Sequence, residues 1–240
     1  MASPDVKQEL SSPDASFRVS RQKVNDRPLM LDTHMRGLRR KLRWWRGQGW
    51  RAEDFAARYA AGGADAWGYR GSDLHARRAE LILAALPQPR FSRALEVGCA
   101  QGFLSERLAA RCDRLIACDL SALAVRTARE ACRAHPQAEF HEADIRDGFP
   151  GDGFDLLLFS DVLYYLAPRE IDAVLAEAGA KSAPGAALVV ANEWDGKGTG
   201  LTPPAHALAR LDADPRWRCL SRDEHALGPV RLSLSVYALA

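Results

Sequence analysis

No stretch of this 240-residue sequence approaches the roughly 20 consecutive apolar residues needed to cross a bilayer, so no membrane-spanning helix is expected. The opening Met1-Ala-Ser-Pro-Asp-Val-Lys-Gln-Glu9 lacks the apolar stretch of a secretory signal. Neither sign of charge dominates: 33 Lys and Arg against 31 Asp and Glu leave a net charge of +2, which favours no polyanionic or polycationic partner for the chain as a whole. Cysteine is scarce and odd in number. The five (Cys99, Cys112, Cys118, Cys132 and Cys219) show no metal-binding spacing, and four sit in apolar helix or strand patterns. Reduced, packed thiols are expected, with no disulfide framework, no metal site and a cytoplasmic setting. No internal repeat and no interior low-complexity segment is present. What remains is an ordinary hydrophobic fraction of 47%, enough for one sizeable core plus an appendage.

Residues 1–28 are rich in Ser, Pro, Asp, Lys and Arg with little apolar periodicity, the composition of a disordered tail. Leu31, Met35, Leu38, Leu42 and Trp45 then recur at helical spacing. Arg36, Arg39, Arg40, Lys41, Arg43 and Arg46 fill the other faces, which predicts a basic amphipathic helix ended by Gly47 and Gly49. Its Leu and Trp face is expected to pack on the domain. A helix over 51–61, an aromatic turn at 65–72 and a helix over 73–86 complete a helical cap over 29–91. From Arg93 onward, strands and helices alternate. Strands are expected at 94–98, 114–119, 139–142, 154–160 and 187–191, and helices at 103–111, 121–133, 168–181 and 203–211. Pro184-Gly185 reads as a turn before the fifth strand, and two last strands fall at 217–220 and 230–238. The run 154–160 is apolar almost throughout, as in a sheet buried on both faces. The expected fold over 92–240 is α/β: a Rossmann-like, seven-stranded, mostly parallel sheet with helices on both faces and a C-terminal antiparallel hairpin.

Chemistry concentrates where the first strand ends. Glu96-Val-Gly98-Cys99-Ala100-Gln-Gly102 passes from an apolar strand directly into a helix, and its small residues let the backbone press close to a ligand. Asp119 ends the second strand, where nucleotide-binding α/β units place a carboxylate on ribose hydroxyls. Such sheets bind ligands at the carboxyl ends of their strands. There Leu120 follows Asp119, Asp144 and Ile145 follow the third strand, and Ser160 and Asp161 end the fourth. Asp144 suits an exocyclic adenine amine, and Ser160 and Asp161 the ligand's other end. A dinucleotide fits less well, because the Gly-x-Gly-x-x-Gly needed for a pyrophosphate is absent. S-adenosylmethionine (SAM), which carries ribose, adenine, an ammonium and a sulfonium but no phosphate, fits better.

Glu-x-Gly-x-x-x-Gly, the Asp after the second and third strands, and Pro-Gly before the fifth resemble the class I SAM-dependent methyltransferases. Ala100 stands where that family usually has its middle glycine. Within the class, Asp65-Ala-Trp-Gly-Tyr-Arg-Gly-Ser72, Leu83-Ala-Ala-Leu-Pro87, Arg93-Ala-Leu-Glu-Val-Gly-Cys99, Ser160-Asp-Val-Leu-Tyr-Tyr-Leu166 and Leu201-Thr202 with His206 resemble the nodulation-protein-S (NodS-like) group. The likeness runs over residues 54–239. It implies an N-terminal helix that closes over the cofactor, with Trp67 packing on SAM and Arg78 pairing with its carboxylate. It also implies a cofactor site of Glu96, Gly98, Cys99, Ala100, Gly102, Asp119, Leu120, Asp144, Ile145 and Ser160. The group's namesake N-methylates the free amine of a deacetylated chitooligosaccharide. The implied acceptor is therefore a small-molecule amine, such as that of an amino sugar or deacetylated oligosaccharide.

Methyl transfer from a sulfonium is an in-line displacement with a good leaving group. The protein's tasks are to align the reactants in a dry cavity and to remove the acceptor's proton. Asp161, Glu193 and His206 are the candidate catalytic groups, with Tyr164 and Tyr165 near them. Glu193 follows an apolar strand and precedes Trp194, where NodS-like proteins often carry His, so it departs from the group's pattern. The Arg-rich helix with Trp44, Trp45 and Trp50 keeps an RNA methyltransferase open as the rival. Against it stand the small net charge and Ser160-Asp161-Val-Leu in place of an Asn-Pro-Pro-Tyr-like motif. A non-catalytic SAM-binding scaffold is the remaining alternative. The expected partner is a small-molecule acceptor, with neither membrane nor nucleic acid.

Overall fold

The computed structural model of the chain describes residue 42, residues 45–194 and residues 202–240. In chain order the elements are α1 (Ala52–Gly62), α2 (Asp73–Ala84), β1 (Phe91–Val97), α3 (Phe103–Leu108), β2 (Cys112–Asp119), α4 (Ala122–Ala131), β3 (Ala138–Glu142) and β4 (Phe154–Ser160). They continue with α5 (Pro168–Lys181), β5 (Ser182–Trp194), α6 (Pro204–Ala213), β6 (Trp217–Leu227) and β7 (Val230–Leu239). The strands form one sheet in the order β3-β2-β1-β4-β5-β7-β6. The pairs β1/β2, β1/β4, β2/β3 and β4/β5 are parallel, and β7 runs antiparallel between β5 and β6. This is the expected Rossmann-like arrangement. Strand order reverses between β1 and β4, which opens a crevice at their carboxyl ends.

Successive strand residues point to opposite faces of the sheet. Leu95, Ile116, Leu157, Phe159 and Leu188 face Ile171, Val174 and Leu175 of α5 and Leu211 of α6. Ala94, Leu115, Leu156, Leu158 and Val189 face Ile82 of α2, Leu104 and Leu108 of α3, and Val125 and Ala128 of α4. Because both faces are covered, β4 can be apolar without alternating. The helices start where the sequence offers caps: Ser72 Oγ accepts from His75 N at 3.4 Å, and Ser121 Oγ accepts from Ala124 N at 3.3 Å.

Several boundaries differ from the sequence-based expectation. The 103–111 helix stops at Leu108 and tightens into a 3₁₀ turn over Ala109–Arg111. Pro184-Gly185 does not precede the fifth strand but bulges within it, since Phe154 pairs with Ser182 and Leu156 with Ala187. Glu193 consequently lies inside β5, opposite Leu232, instead of beyond its end. β6 extends to Leu227 through the polar Ser221-Arg-Asp-Glu-His225. This stretch carries no apolar alternation because β6 is an edge strand with mostly exposed side chains, and only its backbone ladder to β7 defines it. Leu42 and Trp45 are 52% and 85% exposed, so at these positions the basic helix does not pack on the domain. The 1–28 tail, the remainder of that helix up to Trp44, and the glycine-rich loop 195–201 lie outside the described residues. Cys99, Cys112, Cys118 and Cys132 are buried free thiols and Cys219 an exposed one. Among the described residues no helix is long and apolar enough to cross a membrane.

Candidate active site

The loop after β1 is shaped by close approaches. Gly98 has φ 73°, and a Cβ there would lie 2.3 Å from Val162 Cγ2. The N–H groups of Gly98 and Cys99 both donate to Cys118 O, at 2.8 and 3.0 Å, and tie the loop to β2. Gly102, at the start of α3, makes room for α4: a Cβ would come within 3.0 Å of Ala128 Cα. Ala100 has φ 48°, the left-handed region that costs a residue with a Cβ about 1 kcal/mol. Its N–H donates to Asp119 Oδ2 at 3.0 Å, which holds it there. Ala100→Gly should therefore stabilise the fold by about 0.5–1 kcal/mol. The check is a raised urea midpoint at unchanged denaturant slope.

Asp119 is the hub of this end of the site. Oδ2 also accepts from Tyr59 Oη at 3.3 Å, and Oδ1 accepts from Ser121 N at 2.9 Å. Burial pushes its carboxyl up to about 6, against the hydrogen bonds from Ser121, Ala100 and Tyr59 that pull it down. Tyr59 comes from α1, which lies across the crevice as part of an aromatic roof. Phe55 meets Tyr165 edge-on at 5.0 Å, Trp50 lies 4.8 Å from Tyr165, and Tyr59 meets Trp67 at 6.1 Å. The Arg58 guanidinium stacks 3.9 Å from the Trp67 ring centroid.

Between this roof and the strand ends lies a cavity of about 620 Å³, within the range of small-molecule sites. Toward β3 it is bounded by Asp144, Ile145 and Arg146. Asp144 accepts from Arg146 Nε at 2.6 Å and pairs with its Nη2, while Arg51 Nη1 lies 3.7 Å away. Burial alone would raise the Asp144 carboxyl, but the Arg146 hydrogen bonds hold it below the usual range.

Toward β4 and β5 the cavity is bounded by Ser160, Asp161, Glu193 and His75. Arg78, almost fully buried on α2, donates to Ser160 Oγ at 2.8 Å and pairs closely with Asp161 Oδ2. Asp161 Oδ1 accepts the Glu193 N–H at 2.6 Å, so both of its oxygens are engaged. Its backbone has φ 56°, a conformation that persists in a residue with a Cβ only where the surroundings enforce it. Glu96 is buried beneath the loop. Burial raises its carboxyl to about 7, and its Oε2 has no hydrogen-bond partner.

Of the residues expected from the sequence, Trp67, Gly98, Ala100, Asp119, Leu120 and Asp144 line the main cavity, as do Ile145, Ser160, Asp161 and Glu193. Arg78, Glu96 and Cys99 instead wall a small adjoining cavity of about 30 Å³. Gly102 lines neither and acts through α3–α4 packing. His206 also lines neither: it sits in the first turn of α6, with Nε2 buried and unpartnered. Sequence reading missed Tyr59, Tyr69, His75 and Arg146. Tyr69 lies within the 65–72 motif and Arg146 directly beside Asp144 and Ile145, but neither was marked as a site residue; Tyr59 and His75 carry no motif, and only the packing of their helices against the sheet brings them to the site.

The family described as Methyltransferase domain matches residues 94–185. Nodulation protein S of Rhizobium tropici is 33% identical over 103 residues, covering 42% of this chain and 43% of that protein. The Sinorhizobium fredii protein of the same name is 34% identical over 90 residues, 38% of this chain and 42% of that protein. The matched segment thus spans less than half the length of these curated relatives. The solved N-methyltransferase NodS from Bradyrhizobium japonicum WM9, in complex with S-adenosyl-L-homocysteine, superposes with a TM-score of 0.70 at 21% identity, over 78% of this chain and 97% of that one. At that identity the likeness is one of fold. A proposed methyltransferase of Pseudomonas syringae is 31% identical over 68% of this chain and 97% of its own, with a TM-score of 0.58. With the glycine loop, Asp119 and the strand order already in place, these similarities show that the chain belongs to the class I SAM-dependent methyltransferase family.

Proposed function

We propose that this chain moves the methyl group of SAM to an amine nitrogen of a small molecule such as an amino sugar or deacetylated oligosaccharide. One observation carries the reading: a single cavity joins Asp119, the Gly98–Ala100 loop and the aromatic roof to the Asp161–Glu193 carboxylates near β4 and β5. The residues fit the cofactor's chemistry. Asp119 is a buried carboxylate able to accept from ribose hydroxyls. Asp144 and Ile145 offer an acceptor and an apolar wall to adenine, and Trp67 offers an aromatic wall to the cofactor. Arg78 suits the cofactor's carboxylate, and the unpartnered Glu96 Oε2 beside the same small cavity suits its ammonium. When bound, SAM supplies an electrophilic methyl group on a good leaving group. The chain's part is to exclude water with its roof, orient the acceptor and receive its proton. The carboxylates Asp161 and Glu193 on the acceptor side favour a cationic amine over an anionic acceptor. The N-methyltransferase activity stated for the solved NodS supports the nitrogen acceptor. Four buried free thiols belong with a reducing, cytoplasmic setting.

The test is incubation of the full chain with methyl-labelled SAM and a panel of glucosamine, chitobiose amines, simple alkylamines and RNA. Label is expected in an amino sugar or alkylamine and not in RNA. Label in RNA alone, or none in any acceptor despite SAM binding, would overturn the proposal.

A further inference from the structure

His75 carries no motif, yet it occupies a singular place. It sits in the first turn of α2, three residues before Arg78, and lines both the main cavity and the small one beside it. Its Nδ1 is buried without a hydrogen-bond partner, and Glu193 Oε2 lies 3.9 Å from that nitrogen. Tyr69 packs edge-on against the imidazole at 4.7 Å and sets its plane. Glu193 is itself positioned: its N–H donates to Asp161 Oδ1 at 2.6 Å, and its Oε2 lies 3.7 Å from Arg78 Nε. A carboxylate is thereby aimed at one nitrogen of a ring that borders the reaction space.

We propose that His75 is the residue that takes the acceptor's proton, with Glu193 as its positioning residue. The inference rests on the methyltransferase reading above and deepens it. With Nδ1 and Glu193 Oε2 drawn together around substrate, Glu193 would accept Nδ1–H, fixing the tautomer and leaving Nε2 as the base for the acceptor nitrogen. The 3.9 Å separation is the kind of catalytic contact that tightens once substrate is bound. The alternatives are placed less well: Asp161 has both oxygens engaged and His206 lines neither cavity.

The step balances as follows. An acceptor ammonium gives one proton to Nε2, forming imidazolium and a neutral amine. The amine's lone pair forms the N–CH3 bond while the C–S bond breaks, its electron pair going to sulfur. The products are a methylated ammonium and a neutral thioether, and the imidazolium proton returns to solvent. Burial and the Arg78 guanidinium lower the imidazole's proton affinity below its ordinary value, while Asp161 and Asp65 oppose them. Tyr69 and Glu193 are the other titratable groups facing the ring. This direction favours the neutral imidazole as the resting form.

Two arms test this on the full chain. In the first, the ¹⁵N-histidine-labelled protein saturated with S-adenosyl-homocysteine is followed by long-range NMR. The expected result is an Nδ1–H tautomer at pH 7 that titrates below 6.5, with the tautomer preference lost in Glu193→Gln. A charged ring, or an Nε2–H tautomer, at pH 7 overturns the proposal. In the second, turnover is measured with the amine that takes label in the acceptor panel. His75→Gln should lower kcat at least ~100-fold and abolish its fall toward low pH, while SAM affinity stays within about threefold. Added imidazole should restore part of the rate to His75→Ala. An unchanged kcat and pH profile, or a rise in the KM for SAM with kcat intact, sinks the assignment. Failure of wild type to bind SAM by calorimetry would instead count against the cofactor reading itself.

Discussion

Asp119→Ala is expected to weaken SAM binding by at least ~100-fold. Two hydrogen bonds from ribose hydroxyls to a buried carboxylate contribute about 1.5 kcal/mol each at the low end, and their sum corresponds to two decades of affinity. Calorimetry reads the loss directly, and affinity within threefold of wild type would remove Asp119 from the site. The pH dependence gives a second check. Burial raises Asp119 to about 6 and Glu96 to about 7, both above their unfolded values. Their contribution to stability is therefore fully present below the unfolded values near 4 and is lost as pH rises through 6 to 7. Ligand binding runs the other way, because the ionised carboxylate is the better acceptor. The increase in Tm produced by SAM should grow between pH 5.5 and 7.5. Asp119→Ala should flatten both trends, and an increase in Tm that shrinks across this range would contradict the assignment.

Glu170→Ala is expected to lower stability by about 3 kcal/mol and to weaken SAM binding about tenfold. Glu170 lies in the first turn of α5, and its side chain is only 13% exposed. Oε2 accepts from Gly49 N at 2.7 Å and from Ala167 N at 2.9 Å, and Oε1 accepts from Arg51 Nη2 at 3.0 Å. Arg146 closes the clasp, donating to Trp50 O at 2.6 Å, while Trp50 N donates to Tyr165 O at 2.8 Å. One carboxylate thus straps residues 49–51 to the start of α5, with Trp50 over the cavity against Phe55 and Tyr165. Its loss leaves several partly buried donors without an acceptor, at about 1–3 kcal/mol for each that water cannot reach. Urea denaturation and SAM calorimetry read the two effects. Glu170→Gln, which keeps one carbonyl acceptor, should fall between wild type and alanine. Wild-type stability in Glu170→Ala would show that the strap is held by other contacts.

The sheet was legible because its signals are local. β4 and α5 were read to the residue, since a continuous apolar run and a Pro-initiated helix each announce themselves within a few positions. β6 was read short because an edge strand does not need an apolar face, and its pairing with β7 is information held elsewhere in the chain. The same division runs through the site. Gly98, Asp119, Asp144 and Asp161 follow strand ends, and strand ends in a parallel sheet share one rim. Arg78 was marked by family resemblance, but as a partner for a ligand; its pairing with Ser160 and Asp161 required α2 to be laid across the β4 terminus.

By itself, the sequence determined the α/β order, the glycine loop and the carboxylate at the end of β2, because hydrophobic period and turn chemistry are written over short stretches. Tertiary structure alone decided the roof and the proton-handling end. Tyr59 meets Asp119 across 60 residues, Glu170 meets Gly49 across 121, and His75 faces Glu193 only because α2 and the carboxyl end of β5 converge there. Side-chain contacts at such separations are set by how layers pack, and no local pattern records them.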